Sequence, residues 1–204
     1  ANQDLTNLEA GIYDVIISDS NSCEYQLIGI EINESPEIQI FENITEPICY
    51  DDANGLIEIT ATGGSSELSY EWFDETGVLI SSSQVLDNVA AGIYNIVISD
   101  DLGCNNSQFI ELSQPQEINL TLNSDLNLSC YGDLTSIDIF SEGGIGPYNY
   151  QWFDSSGTLI SENEDLENVG FGIYNIIITD ANGCNYNDFY EILQPDEIVI
   201  SIET

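Results

Sequence analysis

The stretch Ala-Gly-Ile-Tyr-Asn-Ile-Val-Ile-Ser-Asp at residues 91–100 decides the fold, because close copies of it occupy residues 9–19 and 171–180. The tyrosines of the three copies, at positions 13, 94 and 174, lie 81 and 80 residues apart. A period of this kind must be recognised before any site is assigned. It is longer than the unit of a solenoid and close to the size of one small β-sandwich domain.

Alternating apolar and polar residues fill the segments between these copies, and an alternation of period two predicts half-buried β-strands. Clear examples lie at residues 37–41, 56–62 and 68–73. Continuing along the chain gives about seven short strands in each repeat, which is typical of a β-sandwich with Greek-key connections. We therefore predict an all-β fold of tandem immunoglobulin-like β-sandwich repeats, each of about 80 residues, forming a rod.

The period divides the chain into four parts. We expect residues 1–35 to be the C-terminal part of a truncated repeat, residues 36–114 and 115–194 to be complete β-sandwich repeats, and residues 195–204 to be the first strand of a following repeat. Two strands alone cannot bury a core. The first part is therefore expected to be completed by sequence upstream or by another chain, and the short linkers between repeats favour a stiff rod.

The charge of the chain excludes several classes of function. It contains no Lys, Arg or His, while 37 Asp and Glu give a formal net charge of -37. We expect no nucleic-acid binding and no membrane insertion, because Lys and Arg dominate both kinds of electrostatic recognition and no apolar run approaches ~20 residues. A hydrophobic content of 42%, with 11 Tyr and 7 Phe, predicts a folded chain rather than a disordered acidic one.

The five cysteines recur at two positions of the repeat. Cys23, Cys104 and Cys184 share one frame, and Cys49 and Cys130 share the other. Cysteines at repeating positions indicate a disulfide framework, and therefore an oxidising, extracellular compartment. The odd number follows if the 204 residues cut through a longer array.

Two disulfide pairings are compatible with this pattern. In immunoglobulin-like order the two cysteine positions of one repeat lie at opposite poles, ~25–30 Å apart, whereas a disulfide needs a Cα separation of ~5.5 Å. Across a junction the poles face each other, which favours Cys49 with Cys184 and leaves Cys23, Cys104 and Cys130 to pair outside these residues. Pairing within each repeat, Cys49 with Cys104 and Cys130 with Cys184, remains open if the first strand takes another course.

Five aromatic residues have predicted structural roles. Tyr13, Tyr94 and Tyr174 follow a glycine at the start of a penultimate strand, where a tyrosine corner bonds to backbone upstream. Trp72 and Trp152 lie on the third strand and are expected in the core, although an exposed tryptophan could stack on a sugar ring.

Acidic turns supply the candidate metal ligands Asp51, Asp52, Asn54, Asp180 and Asn182. Calcium prefers several carboxylate and carbonyl oxygens in flexible loops. The same residues are ordinary turn formers, since Asp and Asn bond their own main chain and tolerate left-handed backbone. We favour the turn interpretation, so no cofactor is required and calcium is the one cation to test.

An enzyme is not expected. The chain has no His or Lys for general-base or Schiff-base chemistry and no Arg or Lys to stabilise an oxyanion. Every cysteine belongs to the repeat pattern, and repetition itself argues against a single active site.

Four motifs in fixed order carry a family resemblance. They are Cys-Tyr-Gly-Asp at 130–133, Gly-Gly-x-x-Pro-Tyr-x-Tyr-x-Trp at 143–152, Gly-x-Tyr at 172–174 and Asp-Ala-Asn-Gly-Cys at 180–184. Together they resemble the SprB repeat, which is named after the mobile gliding adhesin of Bacteroidota and occurs in long surface proteins exported by the type IX system. The resemblance implies a surface adhesin or fibre, although the second repeat departs from the first two motifs.

Two functions are compatible with these observations. The first is a structural and adhesive segment of a long extracellular surface fibre, whose partners are neighbouring repeats and other copies in a filament. The second is an array of carbohydrate- or calcium-binding β-sandwich modules, with surface glycans as partners. A row of exposed aromatic side chains, or a ligand at equivalent places in both complete repeats, would favour the second.

Overall fold

A computed structural model describes residues 4–201, and every regular element in that part of the chain is a β-strand. No helix in it is long and apolar enough to cross a membrane. The strands are β1 (Gly11–Ser18), β2 (Glu24–Ile32), β3 (Gln39–Thr45), β4 (Gly55–Thr62), β5 (Leu68–Phe73), β6 (Leu79–Ser81), β7 (Val85–Val89), β8 (Gly92–Asp100), β9 (Asn105–Leu112), β10 (Asn119–Leu122), β11 (Thr135–Ile137), β12 (Ile139–Glu142), β13 (Asn149–Phe153), β14 (Leu159–Ser161), β15 (Leu166–Val169), β16 (Gly172–Thr179) and β17 (Asn185–Ile192).

The contacts between residues divide the chain into two compact units. The first comprises Ala1–Asn43, Glu58–Gln84 and Tyr94–Ile110, and the second comprises Ile44–Ile57, Val85–Ile93 and Glu111–Thr204. These limits follow spatial contacts. The repeat boundaries follow the sequence period and stay a prediction.

The second unit encloses one hydrophobic core between two sets of strands. Strands β14, β13, β16 and β17 form an antiparallel sheet in that order, while β10 pairs with β12 and β11 pairs with β15. Trp152 on β13 and Ile137 on β11 are both fully buried in the same core cluster. Because both sheets contribute residues to one core, this part of the chain is a β-sandwich.

Period-two alternation places the core residues of this sandwich. On β16, Ile176 and Ile178 are fully buried, while Ile173 and Asn175 face solvent. Successive side chains of a strand point to opposite faces of the sheet, so one face of β16 lines the core and the other meets water.

The same positions recur 80 residues earlier. Strands β6, β5, β8 and β9 form a sheet in that order, and a second sheet has the order β3, β4, β7. Trp72 on β5, Ile96 and Ile98 on β8, and Ile57 and Ile59 on β4 are buried almost completely. The all-β, immunoglobulin-like sandwich predicted from the sequence is confirmed, with strands at the expected places.

One strand differs between the two complete repeats. Where the second repeat has the continuous strand β4, the third has β11 and β12, which are interrupted at Asp138. The backbone N–H of Asp138 donates to the Ser124 hydroxyl at 3.1 Å, and its carbonyl accepts from the Asn123 N–H at 2.8 Å. These bonds to a neighbouring loop replace the regular ladder at that residue.

Strands β1 and β2 form a two-stranded antiparallel hairpin in the first unit. The register shifts between Tyr13 and Val15, and the Asp14 carboxylate accepts the Gly29 N–H at 2.8 Å beside this irregularity. A side-chain acceptor at a bulge satisfies a backbone donor that the ladder leaves unpaired.

Candidate functional site

The feature that distinguishes this chain is a cluster of residues around the Cys49–Cys184 disulfide, which we call the junction site. It consists of residues 48–52, 114–118, 143–145 and 180–186, all of which belong to the second compact unit. These segments enclose a cavity of about 280 Å³. By the sequence period, the first segment belongs to the second repeat and the last two belong to the third.

The disulfide joins Cys49 to Cys184, whose Cα atoms lie 5.6 Å apart and 135 residues apart in sequence. This is the pair that the junction hypothesis names, and the structure contains neither within-repeat pair. Cys23, Cys104 and Cys130 are exposed free thiols in the part of the chain that the structure describes. Their pairing with cysteines outside these residues stays a prediction.

The turn that carries Cys184 is organised by one buried carboxylate. Asp180 is 3% exposed, and its Oδ1 accepts the backbone N–H groups of Asn182 and Cys184, each at 2.9 Å. Its Oδ2 accepts the Ile145 N–H at 2.9 Å. A carboxylate with three backbone donors holds the turn in a fixed shape, and Gly183 completes it with a φ of 85°.

Asn182 connects this turn to the neighbouring repeat. Its side-chain amide donates to the Ile48 carbonyl oxygen at 3.1 Å. Cys184 Sγ lies 3.5 Å from the same oxygen. The disulfide is therefore accompanied by a hydrogen bond that positions the two partners.

The linker between the repeats is bonded at both ends. The Gln114 side-chain oxygen accepts the Asp51 N–H at 2.9 Å, and the Gln116 carbonyl accepts the Gly144 N–H at 2.8 Å. A Cβ atom at Gly143 would clash with the Glu117 carbonyl oxygen. Only glycine allows this close approach, which gives the Gly-Gly motif a physical role in seating the linker.

The residues proposed to bind calcium have hydrogen-bond partners within the protein. Asp52 accepts the Asn54 amide at 3.2 Å, and Asn54 Oδ1 accepts the Ile48 N–H at 3.1 Å. Asp51 takes a left-handed backbone with a φ of 61°. Among residues 4–201, no group of three or more His, Cys, Asp or Glu side chains is arranged to hold a metal ion. Calcium binding stays a prediction.

The tryptophans lie inside the two sandwiches. Trp72 and Trp152 are 0% exposed. The Trp72 indole N–H donates to the Ser83 carbonyl at 2.9 Å, and the Trp152 N–H lies 3.2 Å from the carbonyls of Asn163 and Glu164. Neither ring can stack on a sugar from solvent.

The tyrosines after the repeated glycine bond to backbone four residues upstream. Tyr13 donates to the Glu9 carbonyl at 2.7 Å, and Tyr174 donates to the Gly170 carbonyl at 3.1 Å. Burial raises the pKa of the phenols of Tyr94 and Tyr174. This is the geometry of a tyrosine corner.

Sequence reasoning missed the residues that seat the linker. Gln114 and Ile145 act through a side-chain carbonyl and a backbone amide, which no chemical motif marks. One signal was present, because Gln194 recurs 80 residues after Gln114 and accepts the Gly132 N–H at 3.1 Å. A polar residue repeated at the module boundary indicates a contact made in every repeat.

Comparison with protein families identifies the modules. The SprB repeat model matches residues 41–77 and 126–157. The chain carries two SprB repeats. It is thus a repeat-based module of the surface and adhesion type, and SprB repeats belong to a class that is typically structural and non-enzymatic. No curated protein matches the chain.

Several solved structures are similar in fold. The N-terminal eight immunoglobulin domains of Down Syndrome Cell Adhesion Molecule isoform 1.30.30 align at 13% identity and a TM-score of 0.46, over 93% of this chain and 29% of that one. DIP-gamma IG1+IG2 aligns at 10% identity and a TM-score of 0.42, over 79% and 99%. Fibronectin(III)-like modules of Clostridium thermocellum CbhA align at 15% identity and a TM-score of 0.32, over 76% and 95%.

Proposed function

We propose that this chain is a structural and adhesive segment of a long extracellular surface fibre built from tandem SprB repeats. The observation that carries the proposal is the junction site, where a covalent bond, an amide hydrogen bond and a doubly anchored linker fasten one repeat to the next. A module whose only task was to bind a ligand would not need its neighbour fixed in this way. The partners of each repeat are then the adjoining repeats and other copies in the fibre.

Location and chemistry agree with this proposal. Disulfides persist in oxidising environments such as cell surfaces. A formal charge of -37 keeps neighbouring fibres apart by mutual repulsion. The absence of Lys and Arg leaves trypsin-like proteases no bond to cut anywhere in the sequence.

Immunogold electron microscopy of cells producing the protein tests the location. Antibodies against residues 36–194 should label filaments on the outer surface of intact cells. Label confined to the cytoplasm of sectioned cells would contradict the proposal.

Force spectroscopy on the purified chain tests the mechanical role. The disulfide closes a loop of 135 residues, so complete extension should release about 450–490 Å less contour length in the oxidised chain than in the reduced one. The Cys49→Ser/Cys184→Ser variant should give the longer length without reductant. Equal lengths in oxidised and reduced wild-type protein would show that the junction bears no load.

An array of carbohydrate-binding modules is the second candidate, and one observation favours it. Phe109 and Phe189 occupy equivalent positions on β9 and β17 and are 74% and 63% exposed. Exposed aromatic rings at a repeated position could stack on successive sugars. A glycan array should then show binding that Phe109→Ser/Phe189→Ser abolishes, whereas binding that survives in that variant would reject the site.

Calcium is part of the same alternative. If a specific site exists, the melting temperature should rise in millimolar calcium at matched ionic strength. Identical melting curves in calcium and in chelator would leave only general screening of the acidic surface.

A further inference from the structure

The surface around Cys130 repeats the half of the junction site that contains Cys49. The Asp133 N–H donates to the Cys130 carbonyl at 3.3 Å, and the Asp52 N–H donates to the Cys49 carbonyl at the same distance. Gln194 accepts a backbone N–H of this turn, as Gln114 does in the occupied junction. Residues 129–131 and 195–198 line a cavity here, at positions equivalent to those of the junction site. The Cys130 thiol is exposed and free.

The turn at Cys23 repeats the other half. Asp19 Oδ1 accepts the N–H groups of Asn21 and Cys23 at 2.8 and 2.9 Å, which is the arrangement that Asp180 makes around Cys184. Asn21 occupies the place of Asn182, the residue that donates to the neighbouring repeat. The turn before Cys104 has Leu102 at this place, and leucine has no side-chain donor.

We propose that the Asp19–Cys23 turn of a second copy of this chain docks on the Cys130 surface and forms a Cys23–Cys130 disulfide. The Asn21 amide would donate to the Ser129 carbonyl, as Asn182 does to that of Ile48. The two surfaces differ, so the contact is heterologous. Each added copy leaves one surface of each kind unused, which produces open chains of copies unless a ring closes.

Apolar surface on both partners supports a second copy as the occupant. Ile198 is 89% exposed beside the Cys130 surface, while Ile118, its equivalent at the junction site, is 6% exposed and packs in one core cluster with Ile178. Ile17 is the counterpart of Ile178 on the hairpin and is 60% exposed. Docking would cover two apolar surfaces that water now contacts.

The bond requires an oxidant, and a small disulfide such as oxidised glutathione supplies it. One cysteine thiolate attacks the glutathione disulfide and releases one glutathione thiolate, which leaves a mixed disulfide. The second cysteine thiolate then attacks the protein sulfur of that mixed disulfide and releases the second glutathione. Two protein thiols are oxidised, and one glutathione disulfide is reduced to two thiols.

The test uses the whole chain in a glutathione redox buffer at 0.5 M salt, where repulsion between the acidic copies is strongly screened. Non-reducing electrophoresis and light scattering should show a ladder of multimers that a reductant returns to monomer. Peptide mapping of the dimer should give a Cys23–Cys130 linkage.

Single-cysteine variants make the result specific. Cys23→Ser and Cys130→Ser should each remain monomeric, while their mixture should stop at the dimer, because each variant keeps one surface. Cys104→Ser should form the wild-type ladder. Asn21→Leu should slow cross-linking roughly 2- to 12-fold, the effect expected for one hydrogen bond.

Three outcomes would overturn the inference: a folded wild-type chain that stays monomeric, a ladder that requires Cys104, or a Cys23–Cys130 bond within the monomer. The inference extends the proposed fibre to contacts between copies, but its failure would be distinct. Surface labelling and the force measurement do not depend on Cys23 or Cys130.

Discussion

The β1–β2 hairpin and the β16–β17 pair have related sequences and the same antiparallel pairing, but they differ in burial. Gly11 pairs with Ile32 and Gly172 pairs with Ile192 at the corresponding ends of the two ladders. Ile178 is fully buried, whereas its counterpart on β1 is largely exposed. Strand pairing and the closing turn therefore arise from local sequence, while burial requires the opposing sheet.

The turns that close these two pairs differ in the same way. Both are held by an aspartate carboxylate that accepts two backbone N–H groups of its own turn. Only the turn at Cys184 has a partner, to which it is joined by the disulfide and by Asn182. The shape of the turn is local, and its use as a clamp depends on a second surface.

Removing the disulfide should give the largest effect on this comparison. The Cys49→Ser/Cys184→Ser variant opens a loop of 135 residues and should lose about 4–5 kcal/mol of unfolding free energy in the chain-entropy model. Urea denaturation monitored by tryptophan fluorescence measures the loss. The control variant Cys23→Ser/Cys104→Ser should change the free energy by less than about 0.5 kcal/mol. Equal losses would mean that the exposed cysteines are not free.

Truncating one isoleucine in each strand pair should give the next largest effect. Ile178→Ala leaves a cavity in a closed core and should cost about 3 kcal/mol. Ile17→Ala removes an exposed side chain and should cost less than about 0.5 kcal/mol. Similar costs would show that the hairpin has a core of its own in solution.

Much of this comparison could be predicted from the sequence. Period-two alternation located the strands and the repeated Trp72 and Trp152, and the two cysteine frames favoured a bond across the junction over bonds within repeats. The interruption at Asp138 and the seating of the linker by Gln114 could not be predicted. Both depend on backbone groups that meet only after the chain has folded, and an Asp-Asn-Gly turn reads alike whether it holds its own amides or a cation.

The smallest expected effect concerns the turn aspartates themselves. Hydrogen bonds from the Cys23 and Asn21 N–H groups lower the pKa of Asp19, and a bond from the Ser65 N–H, assisted by those of Cys104 and Leu102, lowers the pKa of Asp100 below its ordinary value of 3.8. NMR titration of the carboxyl carbons should find both pKa values below 3.8, because the turn is local to hairpin and sandwich alike. An ordinary value for Asp19 alone would show that its turn needs a partner.

The stability consequence has a definite sign. A carboxyl group whose pKa is depressed by folding stabilises the protein above its unfolded pKa, and this contribution disappears as the pH falls through the folded pKa. Asp100→Asn should therefore be less stable than wild type at pH 7, and the difference should shrink below about pH 3.8. Asp101→Asn makes the same charge change on an exposed neighbour and should lack this pH dependence.

Peptide mapping under non-reducing conditions tests the central claim, that one repeat is covalently fastened to the next. The oxidised monomer is alkylated to block free thiols and cleaved with proteases that cut after acidic and aromatic residues, because trypsin has no site in the sequence. The account predicts a linked peptide pair containing Cys49 and Cys184, with the other three cysteines alkylated. A peptide pair linking Cys130 to Cys184, or Cys49 to Cys104, would contradict it.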